Sequence, residues 1–262
     1  MTYLSSSAEC VNCGSQHRGK PFCTYTNGVH CFSCGYTKSY DRSFTTRDIQ
    51  GDTPRYPDIP NCNWEPSKFS IINLKWLSKY YVDDKIIRQF RIGETTNNGL
   101  VFPYIIGGSV VCYQTRWNVE PRLIVSRGAK VPAVFAVCES RTLVLVEDFI
   151  SAIRVAEHCH SVCLWGTKAQ YKDLQEWFNK YDNILVWLDN DSTKRTNSGQ
   201  EAAKKICKTL NDVLSYNKRR YGFGLDREVT FSNIVTEHDP KMYSPSEIRE
   251  IIGANHAIPA KQ

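Results

Sequence analysis

Two short runs carry the chemistry of this chain: Leu143 to Asp148 (LVLVED) and Ile184 to Asp191 (ILVWLDND) are apolar for about the length of a strand and end in acids. Runs of this kind read as strands buried on both faces. In an open parallel α/β sheet, ligands bind at the carboxyl ends of the strands. Glu147 from one tip and Asp189 and Asp191 from the other are therefore expected to face one crevice. Side chains alternate along a strand, which points Asp189 and Asp191 to one side and Asn190 to the other. Three carboxylates crowded together repel one another unless a cation lies between them. Oxygen donors at that density favour Mg²⁺ or Mn²⁺, and a carboxylate-held metal is the usual apparatus for moving phosphoryl groups.

A second group lies in the first forty residues. Cys10-Val-Asn-Cys13 and Cys31-Phe-Ser-Cys34 are two Cys-x-x-Cys pairs, each followed by a glycine (Gly14 and Gly35) that relieves a tight knuckle. This spacing fits one tetrahedral four-thiolate Zn²⁺ site, and the segment has too few large apolar side chains to fold without a metal. Cys23, His17 and His30 are spare candidate ligands; His30 reads better as a surface group that touches a base. Around them Arg18, Lys20, Phe22, Tyr25, Phe32, Tyr36 and Lys38 interleave cations with rings, as suits single-stranded nucleic acid. The alternative is that the rings form the module's own small core. Cys62, Cys112, Cys138, Cys163 and Cys207 read as reduced structural residues. His158, Cys159, His160 and Cys163 sit where a helix meets a strand, so their side chains should diverge rather than bind metal.

The elements that must position these groups follow from the rest of the chain. Its 262 residues, 41% hydrophobic, suffice for one large domain or two modest ones. No apolar run approaches the ~20 residues of a membrane span and the polar start lacks a signal core, so a soluble cytoplasmic protein is expected. A net charge of +6 leans towards nucleic acid. From Tyr40 to Ser67 four prolines and no periodicity indicate an extended linker. INLKWLSKY and DDKIIRQF read as two short helices, with Asp83 or Asp84 as a cap. Strand-like runs follow at Leu100 to Ile106, Ser109 to Arg116 and Arg122 to Ser126, with Arg116, Arg122, Arg127 and Lys130 as a basic floor beside the acids. Thereafter strands (LVLVED, SVCLW, ILVWLDND, EVTFSNIV) alternate with helices (FISAIRVAEHC, Lys168 to Lys180, Ser198 to Tyr216, and one from about Ser244). That alternation implies a parallel sheet with helices on its faces.

Taken in order, the two cysteine pairs, the proline-rich stretch, the helical pair, the basic sheet, the glutamate and the Asp-x-Asp resemble the zinc-ribbon plus Toprim primases of bacteria and bacteriophages. The similarity is closest to the primase half of phage primase-helicases and spans essentially the whole chain. Glu147 matches the Toprim glutamate, Gly166 the glycine after the second strand, and Asp189 and Asp191 the metal pair. Ser198, Gly199 and Ala202 look like the small-residue helix start, and Asp239-Pro240-Lys241 like the late acidic motif. Asp148 and Ser151 depart from the pattern, standing where glycine and aspartate are usual, and the loop 192–197 is longer than usual.

The resemblance implies an α/β fold: a Toprim-like parallel sheet (141–262), a sheet-and-helix N-terminal subdomain (68–140), a linker (41–67) and a zinc-ribbon template-recognition domain (1–40). It implies a DNA-directed RNA polymerase that makes short RNA primers from ribonucleoside triphosphates on single-stranded DNA during replication. In it Glu147, Asp189 and Asp191 are catalytic and bind Mg²⁺ or Mn²⁺, and Cys10, Cys13, Cys31 and Cys34 bind Zn²⁺. Arg116, Arg127, Lys130, Asp239, Lys241 and His30 meet nucleotide or template. No G-x-x-x-x-G-K-[ST] occurs, so the replicative helicase, like the DNA polymerase, would be a separate partner. A Toprim-type nuclease and a non-catalytic zinc and Toprim DNA-binding factor are the alternatives.

Overall fold

A computed structural model describes residues 57–118, 123–128, 131–190, 197–221 and 228–256, together with strands within 3–39. The chain divides into two compact units, Met1–Arg55 and Tyr56–Gln262.

In the smaller unit, β1 (Tyr3–Ser7), β2 (Phe22–Tyr25), β3 (Gly28–Cys31) and β4 (Thr37–Ser39) form one antiparallel sheet in sequence order. Phe22 stands opposite Cys31, and Tyr25 opposite Gly28. Cys10, Cys13 and Cys34 lie outside the described residues, as do the side chains of Cys31 and His30.

The larger unit contains two further sheets among the described residues. The first runs β5-β6-β7-β8-β9, all antiparallel: β5 (Cys62–Asn63), β6 (Gly93–Thr95), β7 (Gly99–Ile106), β8 (Ser109–Trp117) and β9 (Leu123–Gly128). Between β5 and β6 lie α1 (Ile71–Ser78) and α2 (Asp84–Gln89). Asp83 is the cap of α2, its carboxylate accepting from Ile86 N at 2.9 Å. Cys62 and Asn63 pair with Thr95 and Glu94, and Pro66 is buried. Residues 57–67, the last part of the segment 41–67, therefore belong to this unit.

The second sheet has the order β10-β12-β11-β13-β14. It contains β10 (Ala133–Phe135), β11 (Thr142–Val146), β12 (His160–Cys163), β13 (Asn183–Val186) and β14 (Thr230–Asn233). All neighbours are parallel except β10, which runs antiparallel to β12. The crossovers are α3 (Phe149–Ala156), α4 (Tyr171–Lys180) and α5 (Ser198–Tyr221), and α6 (Pro245–His256) follows β14. The continuous apolar run of β11 has its explanation in two cores. Leu143 and Leu145 face a layer with Leu174, Trp177 and Phe178 of α4 and Ile206 and Leu210 of α5. Val144 and Val146 face a layer with Ile153 of α3, Ile248 of α6 and Leu100 and Phe102 of β7. The first sheet thus covers one face of the second, and β10, from the 68–140 segment, is stitched onto the edge of the 141–262 sheet.

Two local expectations shift. On α1 the apolar residues do not all turn inward: Ile71 and Ile72 are 65% and 62% exposed while Asn73 is buried, because Asn73 serves the polar network described below. Regular pairing of β13 ends at Val186, so Asp189 lies on an extended segment beyond the strand and not within it. Of the residues where α3 meets β12, His160 bonds Tyr181 Oη at 3.0 Å and the Cys138 carbonyl at 2.6 Å, while Cys159 and Cys163 are buried in the core.

Candidate active site

Glu147 directly follows β11, and Asp189 follows the neighbouring strand β13. The two strands are held in register by Leu145 opposite Val186 and by Trp187 N donating to Leu145 O at 2.9 Å. Both acids line one cleft of about 500 Å³, the opposite wall of which is built by the antiparallel sheet and α1 through Gln114, Arg116, Ile124 and Trp76. Asp148, Asp239 and Lys241 line the same cleft.

Each is fixed by its neighbours. Asp148 caps α3, accepting from Ser151 N at 3.1 Å and Ser151 Oγ at 2.7 Å. Lys241, on the 3₁₀ turn Pro240–Met242, donates from Nζ to Asp148 Oδ2 and to Asp239 Oδ2, both at 2.8 Å. Asn190 donates to Thr236 O at 2.7 Å, which turns it towards the segment after β14 and away from the acids. Asn197 in turn donates to Asn190 Oδ1 at 2.7 Å. Gly199, in the first turn of α5, lies against Asp189 so closely that a Cβ there would sit 2.1 Å from the Asp189 carbonyl oxygen. The backbone at Gly166 has φ +141, a region that favours glycine, and Gly166 N donates to Glu147 O at 3.0 Å. Glycine is therefore needed at Gly199 for lack of space against Asp189 and at Gly166 for its backbone conformation, where a Cβ would meet no neighbour.

The electrostatics separate the carboxylates. Burial, reinforced by the negative charges of Asp239, Glu147 and Asp148 and opposed by Lys241, pushes the Asp189 carboxyl from 3.8 up to about 7. Burial also works against the charge of Asp148, but Lys241 and Ser151 outweigh it and hold that carboxyl below its usual range. Lys241 is kept firmly protonated: burial opposes its charge, and Asp148, Asp239 and Asp189 overcome this. Asp189 Oδ1 is buried and accepts no hydrogen bond among the described residues.

That orphaned oxygen, on a carboxylate surrounded by other carboxylates, is what a hard divalent cation would satisfy, so the donor chemistry fits Mg²⁺ or Mn²⁺. Among the described residues no three His, Cys, Asp or Glu side chains converge into a complete ion cage. Asp191 lies outside the described residues, as do Arg122 and Lys130.

The structure thus brings Glu147, Asp189, Asp239, Lys241 and Arg116 into one cleft. Arg127 is not among its lining residues. It pairs with Tyr113, whereas the cleft-lining Arg116 and Ile124 pair with each other. Three positions separate Arg127 from Ile124 along β9, so strand alternation turns it to the opposite face. Sequence reasoning missed Trp76, Gln114 and Trp165 as lining residues. Trp165 carried a signal: it precedes the glycine at the strand end, and here adopts φ +55.

Among the described residues the architecture is a mixed α/β fold in which an antiparallel sheet packs on a mainly parallel one, with an acidic cleft between them. Neither a protein-family model nor a curated protein matches the sequence. The fold is similar to that of a primase of Aquifex aeolicus, crystallised as its zinc-binding and RNA polymerase domains. The TM-score is 0.54 at 13% identity, over 97% of this chain and 80% of that one. A DNA primase domain from Pseudomonas aeruginosa aligns with a TM-score of 0.42 at 16% identity, over 74% of this chain and 63% of that one. No helix among the described residues is long and apolar enough to cross a membrane.

Proposed function

We propose that this chain is a DNA primase, a metal-dependent nucleotidyltransferase that makes short RNA primers from ribonucleoside triphosphates on single-stranded DNA. The observation that carries the reading is the cleft itself: Glu147 and the unsatisfied Asp189 on one wall face Arg116 on the other, on a fold shared with a primase. Topology adds support, since an acid after β11 and another after β13, the next strand but one in the chain, follow the order of acids that the Toprim resemblance implies.

In this reading Asp189 and Asp191, with Glu147, hold Mg²⁺ or Mn²⁺, which when bound neutralises charge on the triphosphate and on the departing pyrophosphate. The 3′-hydroxyl oxygen of the growing primer bonds to the α-phosphorus of the incoming nucleotide. The bond from that phosphorus to the bridging oxygen breaks, and pyrophosphate leaves with the electron pair. Where Glu147 is not itself a ligand, it accepts the hydroxyl proton. Arg116 contacts phosphate oxygens of nucleotide or template. Lys241 is paired to Asp148 and Asp239, so its contribution is to hold the acidic wall together while limiting its net charge. Cys10, Cys13, Cys31 and Cys34 hold a structural Zn²⁺ in the smaller unit, which with His30 reads a short template sequence. Helicase and DNA polymerase act as separate partners, and the whole operates in the cytoplasm, that of the host if phage-encoded.

The test is incubation with single-stranded DNA, labelled ribonucleotides and Mg²⁺ or Mn²⁺. Short RNA products that disappear in Asp189→Ala support the reading. Shortened DNA without RNA would replace it with a nuclease, and binding without turnover with a non-catalytic factor.

A further inference from the structure

A chain of polar side chains runs from the interior of the larger unit to the cleft wall. Glu94 on β6 is 3% exposed. Its carboxylate accepts from Ser70 N at 2.7 Å, from Ser70 Oγ at 2.5 Å and from Asn73 Nδ2. Asn73, 1% exposed, also donates to Asn98 O at 2.9 Å, and its Oδ1 accepts from Asn118 Nδ2 at 2.7 Å. Asn118 Oδ1 then accepts from Arg116 Nε at 2.9 Å. The Arg116 guanidinium lies 4.3 Å from the centre of the Trp76 ring, and Trp76 is one turn along α1 from Asn73.

The order of the groups is carboxylate, amide, amide, guanidinium, and both amides point the same way. Turning Asn73 around would set its oxygen against Glu94 and the Asn98 carbonyl, and turning Asn118 would set nitrogen against Arg116 Nε. Each amide therefore presents its N–H end towards the anion and its carbonyl end towards the cation, so the charges at the two ends strengthen every link between them. A buried carboxylate is expensive to maintain, and here its hydrogen-bond partners lead step by step to a cation in the cleft.

We propose that Asn118, backed by Asn73 and Glu94, is a positioning residue that fixes the Arg116 guanidinium on Trp76 before an anionic phosphate ligand arrives. The inference rests on the primase reading only for the identity of that ligand, a nucleoside triphosphate or the template backbone. A long side chain already held in place loses little further freedom on binding, so the benefit appears as affinity for phosphate.

Inorganic tripolyphosphate titrated by calorimetry into the full chain at low salt, with no Mg²⁺ or Mn²⁺ added, tests this apart from catalysis. Asn118→Ala should raise Kd about tenfold, equivalent to about 1.4 kcal/mol. Arg116→Ala should weaken binding at least as much, and adding Asn118→Ala to it should do nothing further. Arg116→Lys keeps the charge but lacks the Nε–H donor; it should resemble Asn118→Ala and be insensitive to it. In primer synthesis Asn118→Ala should raise KM for ribonucleotide while kcat stays within about twofold. Unchanged affinity in Asn118→Ala, equal weakening in the Arg116→Ala background, or a wild type that does not bind tripolyphosphate would each overturn the proposal. Tripolyphosphate binding in the expected pattern without any primer synthesis would sink the primase reading and leave the relay standing.

Discussion

Replacing Asp189 with Asn should make the metal-free protein more stable and inactive. The folded chain binds the Asp189 proton more tightly than the unfolded chain does, with the carboxyl raised from 3.8 to about 7. For a raised carboxyl the folded state is favoured at low pH, and that advantage is lost as pH climbs from about 4 to about 7. Above that range the full penalty of a buried, crowded charge is carried by the folded state. At about 1.4 kcal/mol for each tenfold in proton affinity, the ceiling is about 4 kcal/mol. The cleft opens to solvent, and screening reduces this to about 2 kcal/mol. Asn cannot ionise, so in EDTA Asp189→Asn should exceed wild type by about 2 kcal/mol at pH 8, with the gap closing towards pH 4. Urea unfolding followed by tryptophan fluorescence at a series of pH values measures it. Mg²⁺ at about a hundred times its Kd should then lift wild type alone, by about 2.7 kcal/mol. A variant less stable than wild type at pH 8, or a gap that ignores pH, would refute the account of this carboxylate as a strained cation ligand.

Gly199→Ala should cost about 1–3 kcal/mol by thermal melting and abolish synthesis, because the new methyl meets the Asp189 carbonyl, a backbone atom with no flexible end to yield. Lys241→Met strands two partly buried carboxylates and should cost about 1.5–3 kcal/mol; adding Asp148→Asn should recover part of this in the same urea assay. Metal analysis should find about one zinc per chain, lost in Cys31→Ser, with template-dependent synthesis lost while the urea midpoint of the larger unit is unchanged.

The places of Glu147 and Asp189 past the ends of β11 and β13 were legible because a doubly buried strand leaves an uninterrupted apolar run, and only its tip can tolerate charge. The helices α3 to α6 were legible for a related reason, their apolar residues recurring at helical spacing. β5, β6 and β10 were not, being two or three residues long and stabilised by pairing with distant partners rather than by any local pattern. Arg127 was grouped with Arg116 by nearness in sequence, but register assigns faces, and register emerges only when β8 and β9 pair. The fit of Asp148 and Ser151 was hidden as well. Taken singly they break a familiar pattern; together they form a helix cap and anchor Lys241.

Phe149 touches Phe102 of the antiparallel sheet, Phe135 of β10 and Trp165 beyond β12, with ring centres 5.3, 5.3 and 5.9 Å apart. Those rings weld the floor and roof of the groove into a single body, so the gap between them cannot widen like a jaw without tearing aromatic packing. Whatever ligand this cleft takes must therefore fit an aperture of set width, with the walls standing still while it enters.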